Sequence, residues 1–227
     1  GNATINANWS PAATVLTGDF VFARAAKLAA QTGSLTVMEA FAETLAIMVN
    51  GELTQMFDAR GLANRENYYE RIYAKTGSLF ELSTHGAAII SPVDAKTVEN
   101  SRNFGRELGT AFQIVDDILD FTGDQAAVGK PVGSDLLQGL ITLPALYYIE
   151  ANPNDEKVKS LLNGNYHNSK EIAALVEDIR NSDAIQLALD EAKEYANRAL
   201  QSLNGHPPSE ERHALEKLTQ YVTNRNV

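Results

Sequence analysis

The sequence predicts an all-α fold, organised as one domain over residues 1–227. Apolar residues recur every three or four positions through most of the chain, and no repeated Val/Ile/Thr alternation bounded by turns marks a strand. Ser, Asn or Asp precedes several of the periodic segments, and Gly or Pro interrupts the chain between them, as is usual at helix ends. With 44% hydrophobic residues, the chain can build one sizeable core.

The caps place the helices in order along the chain. Ser10 before Pro11 opens the first helix, Ser34 caps the second, Asn64 starts the third and Asp94 opens the longest. The run Thr76-Gly77-Ser78 is expected to break the chain between the third and fourth helices. The predicted helices cover about 11–31, 34–61, 64–75, 79–90, 95–121, 138–151, 155–162, 169–181, 183–203 and 209–222.

A long connection is expected at 122–136, directly after the longest helix. It contains three Gly and one Pro, so no helix is expected to pass through it intact. Connections of more than about twelve residues are usually functional or disordered, and this one has few charges and no low-complexity run. We interpret it as a functional loop.

The segment from Phe104 to Phe121 is apolar over most of its circumference, which indicates a buried helix. Its polar exceptions share one face, since Gln113, Asp116, Asp117 and Asp120 are spaced i, i+3, i+4, i+7. Gly109, one turn earlier, is expected to leave space above them. The polar residues are therefore concentrated where a cavity would lie.

Three carboxylates in a small volume repel one another unless cations lie among them or protons are retained. Only oxygen ligands are at hand, so the expected ion is Mg²⁺ or Mn²⁺ rather than Zn²⁺. Because Mg²⁺ usually completes its shell with phosphate oxygens, a phosphate-bearing substrate is the working hypothesis. The simpler interpretation is a solvated acidic face. Lys130, in the loop, and Lys75, at the expected helix break, favour the phosphate site, although each alone is typical of a surface lysine.

Composition excludes several classes of protein. The chain has no Cys, which rules out disulfides and thiolate metal sites and suits a reducing, cytoplasmic compartment. A net charge of −10 argues against nucleic acid as a partner. No apolar run approaches 18 residues, and no export signal opens the chain, so it is not expected to span a membrane. Nucleophile-elbow, P-loop and dinucleotide-binding motifs are absent.

Taken together, six ordered blocks of sequence resemble the trans-prenyltransferase family, the polyprenyl diphosphate synthases. The blocks are Gly18-Asp19-Phe20 with Ala23-Arg24-Ala25, Gly51-Glu52-Leu53-Thr54-Gln55, Lys75-Thr76-Gly77-Ser78-Leu79-Phe80, the run from Gly105 through Phe112-Gln113 to Asp120, Gly129-Lys130 with Gly133-x-Asp135-Leu136, and Gly139-x2-Thr142-Leu143-Pro144. Their order and spacing agree with the family over about 1–149. The resemblance implies an isoprenoid synthase-type helical bundle around a central cavity. It also implies a homodimer that condenses isopentenyl diphosphate with an allylic prenyl diphosphate.

The resemblance also implies roles for acidic residues. Asp116, Asp117 and Asp120 match the second aspartate-rich motif, which holds Mg²⁺ on the allylic diphosphate. Asp135 matches a further acid that reaches the metal through water.

Five more residues match positions around the substrates. Lys75 and Lys130 resemble the lysines that bind diphosphate. Thr76 and Gln113 resemble the residues whose oxygens flank and stabilise the nascent carbocation. Phe112 resembles the aromatic residue packed on isopentenyl diphosphate.

Two departures from the family pattern stand out. The family's other aspartate-rich motif and its paired arginines lie upstream of the segment that matches Gly1 to Asp19, so we expect the sequence to be part of a longer enzyme. Leu140 stands where many relatives place Lys. Helices at 15–30 and 35–57 could line the product tunnel, and the small residues Ala42 and Ala46 there favour a medium or long product.

Two alternatives stay open from the sequence. One is a non-catalytic partner subunit of a prenyltransferase, which would not need the acidic face. The other is a related Mg²⁺-dependent terpenoid synthase, which would not be expected to carry Phe-Gln before the acidic run together with Gly-Lys and Thr-Leu-Pro after it.

Overall fold

The structure is a computed structural model that describes residues 3–57, 64–123, 132–164 and 169–225. Within these ranges every regular element is a helix, so the predicted all-α fold is confirmed. The α-helices are α1 (Ile5–Asn8), α2 (Pro11–Gln31), α3 (Leu35–Phe57), α4 (Arg65–Ile72), α5 (Ser78–Ile89), α6 (Ala95–Thr122), α7 (Ser134–Leu137), α8 (Leu143–Ala151), α9 (Glu156–Leu162), α10 (Ser169–Arg180), α11 (Ala184–Ser202) and α12 (Glu210–Thr223). A π-helical turn (Tyr73–Gly77) joins α4 to α5, and a 3-10 turn (Leu203–Gly205) follows α11.

The four predicted N-cap residues lie at the starts of their helices, as expected. The Ser10 side chain accepts a hydrogen bond from the backbone N–H of Ala13 (3.3 Å), and Ser34 accepts one from Val37. Asn64 and Asp94 do the same three residues ahead, at 2.8 and 2.7 Å. Each cap satisfies one of the backbone donors that a helix leaves unpaired in its first turn.

The predicted break at Thr76-Gly77-Ser78 is wrong. The chain continues helically from Arg65 to Ile89, with the π-helical turn in the middle and no interruption. Gly77 has ordinary helical backbone angles (φ −56°, ψ −40°). The π turn takes up one extra residue per turn without ending the helix, and such turns are frequent at functional sites.

The boundaries predicted around 122–142 also need correction. A short helix, α7, lies at the end of the predicted loop, and α8 begins at Leu143 rather than near 138. Gly139 has a φ of +79°, a left-handed conformation that ends α7. Pro144 then lies in the first turn of α8, where its missing N–H is not needed.

Helix α6 is the centre of the bundle, as its apolar circumference predicted. One core cluster joins its Ile114, Ile118 and Phe121 to α4, α8 and α10, and a second joins Phe104, Leu108 and Ala111 to α11 and α12. On the α11 side the buried residues are all small: Ala184, Ala188, Ala192, Ala196 and Ala199. Because alanine adds only a methyl group, this stripe lets α11 lie close along α6.

Two glycines let α5 cross the opposite side of α6. A Cβ built on Gly109 would lie 2.8 Å from the Cα of Gly77 and 2.9 Å from the Cβ of Phe80. A Cβ on Gly105 would lie 2.5 Å from the carbonyl oxygen of Phe80. The expected space at Gly109 above the acidic face is therefore filled by α5, so this glycine serves helix packing.

Helices α2 and α3 form a hairpin with a largely exposed apolar surface. No residue of α2 is buried, and α3 buries only Val37 and Thr44. The large hydrophobic residues that the hairpin exposes include Val15, Leu16, Phe20, Val21, Leu28, Leu35, Val49, Met56 and Phe57. Helix α3 is described to Phe57, and the rest of the predicted 34–61 helix falls outside the described residues.

Replacement of Gly109 by Ala should destabilise the protein. The added methyl group meets the backbone Cα of Gly77 and the Cβ of Phe80, which no side-chain rotation can move away, so we expect a loss of about 1–3 kcal/mol in the free energy of unfolding. The matched control is Gly86→Ala in α5, where the new Cβ has no atom within 4 Å and should stabilise the helix by about 0.5–1 kcal/mol. Urea denaturation of both variants checks this; equal stabilities would show that α5 and α6 are not in close contact.

Candidate active site

A chain of hydrogen bonds connects three helical elements across the polar face of α6. The Thr76 hydroxyl donates to Oε1 of Gln113 (2.6 Å), and Nε2 of Gln113 donates to Oδ1 of Asp117 (2.8 Å). The hydroxyl of Tyr68, in α4, donates to the other carboxylate oxygen of Asp117 (2.8 Å). Gln113 and Asp117 are buried, so each of these polar groups has the partner that burial demands.

The π-helical turn supplies the first member of this chain. Thr76 lies in it, and its hydroxyl reaches Gln113 because Gly77, the next residue, packs directly against α6. Lys75 lies in the same turn with its side chain exposed. Helical spacing predicted Gln113 and Asp117 on one face, and the family resemblance implied that Thr76 lies near Gln113. The π-helical turn that brings Thr76 there was not predicted.

Asp120 organises the segment that follows α6. Its Oδ1 accepts hydrogen bonds from the backbone N–H and the hydroxyl of Ser134 (3.2 and 2.7 Å), and its Oδ2 accepts one from the backbone N–H of Asp135 (3.1 Å). Its own carbonyl accepts from the N–H of Gly133 (2.8 Å). These bonds hold α7 against the end of α6 and bring the backbone of Asp135 to the Asp120 carboxylate.

Asp116 has a different environment. Its side chain is 50% exposed, and its Oδ1 lies 3.3 Å from Nη1 of Arg225, the residue two positions beyond the end of α12. The same guanidinium lies over the ring of Phe112, 4.1 Å from its centroid. The three aspartates of α6 therefore have three different kinds of partner.

Burial raises the pKa of Asp117 to about 7. The hydrogen bond from Gln113 opposes the rise, the negative charge of Asp135 adds to it, and Tyr68 and Arg71 oppose it. Burial also raises the pKa of the Tyr68 hydroxyl, and the charge of Asp117 adds to that rise. The proton of this hydrogen bond therefore stays on Tyr68, which acts as a donor.

Tyr68 and Arg71 were missed by sequence reasoning. Nη2 of Arg71 donates to the carbonyl oxygen of Ile141 (2.6 Å), and its guanidinium lies 5.6 Å from the centre of the Tyr68 ring. Arg71 thus ties α4 to the link between α7 and α8. Helical spacing puts Tyr68 on the same side as Ile72, but only tertiary packing shows that this side meets Asp117, 49 residues away.

A cavity of about 330 Å³ adjoins this network between α3 and α4. Arg71 borders it, and so do Gly51, Thr54 and Gln55, which belong to one of the sequence blocks identified above. The packing of the two helices is tight at one point, where a Cβ on Gly51 would lie 2.5 Å from the Cβ of Ala74. The cavity combines polar and apolar walls, as a pocket for an amphipathic small molecule does.

The acidic face offers the right atoms for a hard cation, although no preformed metal cluster is present among the described residues. Asp116, Asp117, Asp120 and Asp135 supply only carboxylate oxygens, the ligands that Mg²⁺ and Ca²⁺ prefer. Burial is the main reason why the pKa of Asp117 is raised, and a bound cation would favour its ionised form. The donor set therefore fits a divalent cation. Lys130, the other predicted cationic residue, lies outside the described residues.

The chain is similar in sequence to known prenyl diphosphate synthases. A family model described as polyprenyl synthetase matches residues 1–179. The chain is 36% identical to heptaprenyl diphosphate synthase component 2 of Geobacillus stearothermophilus, covering 100% of this chain and 70% of that protein. It is 35% identical to the chloroplastic solanesyl diphosphate synthase 2 of Arabidopsis thaliana, covering 99% of this chain but only 54% of the relative.

Two solved structures share the fold over almost the whole chain. The heptaprenyl diphosphate synthase of Staphylococcus aureus superposes with a TM-score of 0.94 at 33% identity, covering 100% of this chain and 71% of that one. The polyprenyl synthase of Caulobacter crescentus, complexed with calcium and isoprenyl diphosphate, gives 0.87 at 33% identity, with coverages of 96% and 68%.

Replacement of Asp117 by Asn should stabilise the metal-free protein increasingly as the pH rises. The folded-state pKa is about 7, above the ordinary value of 3.8, so ionisation of Asp117 costs folding stability as the pH passes from about 4 to 7. Asn has no charge to bury, so the variant should gain at most about 2–3 kcal/mol on the wild type between pH 5 and pH 8.

Thermal unfolding in EDTA across that pH range measures the difference. Asp116→Asn is the control, because the half-exposed Asp116 carboxylate is already solvated and its replacement should give no comparable gain. A constant difference between wild type and Asp117→Asn at all pH values would contradict the prediction.

Proposed function

The chain belongs to the polyprenyl synthetase family, whose members elongate prenyl diphosphate chains, and from this premise we propose the reaction of the chain itself. It condenses isopentenyl diphosphate with an allylic prenyl diphosphate, giving a longer trans-polyprenyl diphosphate and free diphosphate. The observation that carries this proposal is the buried hydrogen-bond chain from Thr76 through Gln113 to Asp117, because it ties the proposed carbocation site to the proposed metal site.

We assign Asp116, Asp117 and Asp120 as the residues that would hold Mg²⁺, with Asp135 acting through water. When bound, the cation neutralises the negative charge that develops on the leaving diphosphate. The hydrogen bonds of Asp117 and Asp120 leave each carboxylate with further lone pairs while fixing its orientation. A divalent cation is supported by the Caulobacter relative, whose structure holds calcium together with isoprenyl diphosphate.

Thr76 and Gln113 are proposed to face the allylic cation. Because Gln113 donates through Nε2 to Asp117, its carbonyl oxygen is turned toward Thr76. The hydroxyl oxygen of Thr76 and the carbonyl oxygen of Gln113 are thus held next to each other. Because their dipoles are already fixed, they can stabilise a developing positive charge without reorganising. Gln113 is itself buried, which helps to exclude water that would quench the cation.

The remaining substrate contacts are proposals from the family pattern. Lys75, exposed beside Thr76, and Lys130 would bind diphosphate oxygens, and Phe112 would pack on isopentenyl diphosphate. For product length, Ala42 and Ala46 are exposed on α3, so their place in a tunnel is not supported by burial. The relatives bear heptaprenyl, octaprenyl, solanesyl and decaprenyl names, which favours a medium or long product.

A second function has one observation in its favour. The relatives from Geobacillus stearothermophilus and Bacillus subtilis are each named component 2 of a heptaprenyl diphosphate synthase. This chain could accordingly act only together with a different subunit. The two functions differ in whether the purified chain alone turns over substrate.

The activity should depend on the metal and on Asp117. With the longest native form of the chain, chelation of divalent cations should abolish condensation, and Mg²⁺ should restore it. Asp117→Asn should lower kcat/KM by about 100-fold or more, because it removes a charge needed most in the transition state.

The control for this assay is Asp190→Asn in α11, where an exposed carboxylate pairs with Lys193 and should leave the rate unchanged. Radiolabelled isopentenyl diphosphate and a series of allylic primers provide the measurement. Turnover in excess chelator would contradict the proposal, and turnover only after a second subunit is added would favour the component role.

We further propose that the α2–α3 hairpin is a homodimer interface in the cytoplasm. Many large hydrophobic side chains are exposed on these two contacting helices, and exposed apolar surfaces of this kind mark protein contacts. No helix among the described residues is long and apolar enough to cross a membrane. A second copy of the chain is the occupant that the family resemblance favours.

The double variant Leu16→Glu, Phe20→Glu should shift the protein from dimer to monomer, because both side chains are about two-thirds exposed on the same face of α2. Lys159→Glu, at an exposed pair with Glu156, makes the same change in net charge and should stay dimeric. Sedimentation equilibrium distinguishes the two states. A wild-type protein that is monomeric at every concentration would refute the interface.

A further inference from the structure

Arg225 is the cationic partner of Asp116 in the part of the chain that the structure describes. The packing of α12 holds this arginine in place. Thr219 and Val222, three to six residues earlier, are buried in α12, with Val222 in the second core cluster against α6. Arg225 follows this anchor directly, and its own side chain is only 25% exposed. The guanidinium therefore lies on the acidic face because the end of α12 is packed there.

One guanidinium serves two residues of the proposed site at once. Its Nη1 lies 3.3 Å from Oδ1 of Asp116, and its central carbon lies 4.1 Å above the Phe112 ring and 6.0 Å from the ring of Tyr221. Asp116 and Phe112 are four residues apart on α6, so they lie one helical turn apart on one side. Arg225 fits this pair by combining an ion pair with a cation–π contact.

The partners of the three aspartates differ in charge. Asp117 and Asp120 accept hydrogen bonds from uncharged groups, which can stay in place while a cation binds the remaining lone pairs. The partner of Asp116 carries a full positive charge. A divalent cation on Asp116 would repel that guanidinium, so the two cannot share the carboxylate at full strength.

We infer that Arg225 is the internal counter-ion of the acidic face, and that a divalent cation displaces it from Asp116 on binding. The inference rests on the proposed function, because it takes the metal site from there. Arg225 is thus a positioning residue: it holds Asp116 and covers Phe112 in the metal-free protein, and it lowers the affinity for the metal by competition. Metal binding should also loosen the end of α12.

Calorimetric titration of MgCl₂ into metal-free protein, without any diphosphate, tests the competition directly. Arg225→Gln should bind Mg²⁺ about two- to fivefold more tightly than wild type, the range expected for loss of a partly exposed ion pair. Arg225→Lys keeps the charge and should stay near the wild-type affinity. Arg180→Gln removes one positive charge from an exposed pair with Glu177 and controls for net charge.

Hydrogen exchange over residues 219–225 gives a second measurement that needs no substitution in Arg225. In the wild type, Mg²⁺ should increase exchange in this segment. Asp116→Asn should show the faster exchange without metal, because the partner of Arg225 has lost its charge.

The outcomes separate this inference from the proposed function. Tighter binding by Arg225→Gln together with faster exchange supports it. Two results would overturn the inference without affecting the proposed metal site. One is Mg²⁺ binding by a folded Arg225→Gln that is equal to or weaker than that of the wild type. The other is hydrogen exchange over 219–225 that does not change when Mg²⁺ binds. If neither wild type nor Arg225→Gln binds Mg²⁺, both the metal site and the inference fail.

Discussion

The core of this protein is built around one buried carboxylate on the largely apolar helix α6. Asp117 is only 5% exposed, and an ionised group there is costly unless donors and counter-charges surround it. Two side chains donate hydrogen bonds to it: Tyr68 from α4 and Gln113 from the preceding turn of α6. Gln113 in turn accepts a hydrogen bond from Thr76 of the π turn. Burial raises the pKa of Asp117 to about 7, and a buried acid with a raised pKa and orienting partners is a pattern typical of functional sites.

The packing of α6 explains how such a helix is held still. On one side Gly105 and Gly109 let α5 approach so closely that any side chain would collide with backbone. On another side the alanine stripe of α11 lies along it. With both neighbours at close range, α6 has little freedom to rotate, and the acidic face keeps its direction. Stiff support behind a polar face is what precise placement of charges requires.

The sequence predicted the helical class, the caps, the buried α6 and the face that carries Gln113 and the aspartates, because these depend on local periodicity and spacing. It did not predict the π turn, since Thr-Gly-Ser favours a helix end and only contact with α6 keeps the chain helical. The left-handed conformation of Gly139, which moves the start of α8 to Leu143, was not predicted either, because the sequence alone does not show whether a glycine has a positive φ. Tyr68, Arg71 and Arg225 could not be found either, since each reaches the site from a distant part of the chain through tertiary packing. Lys130 remains a prediction.

One backbone contact near the acidic face bears on the geometry of the proposed metal site. The carbonyl of Asp120 accepts a hydrogen bond from the N–H of Gly133, so the two ends of the intervening stretch meet at a single point. Gly133 has a φ of +73°, and the Val176 side chain lies where a Cβ would be, so glycine is strongly favoured at that junction. Because this contact joins the two ends, it sets the spacing of Asp120 and Asp135. The separation of two carboxylates proposed for one metal site therefore depends on a single glycine that contributes no side chain to that site.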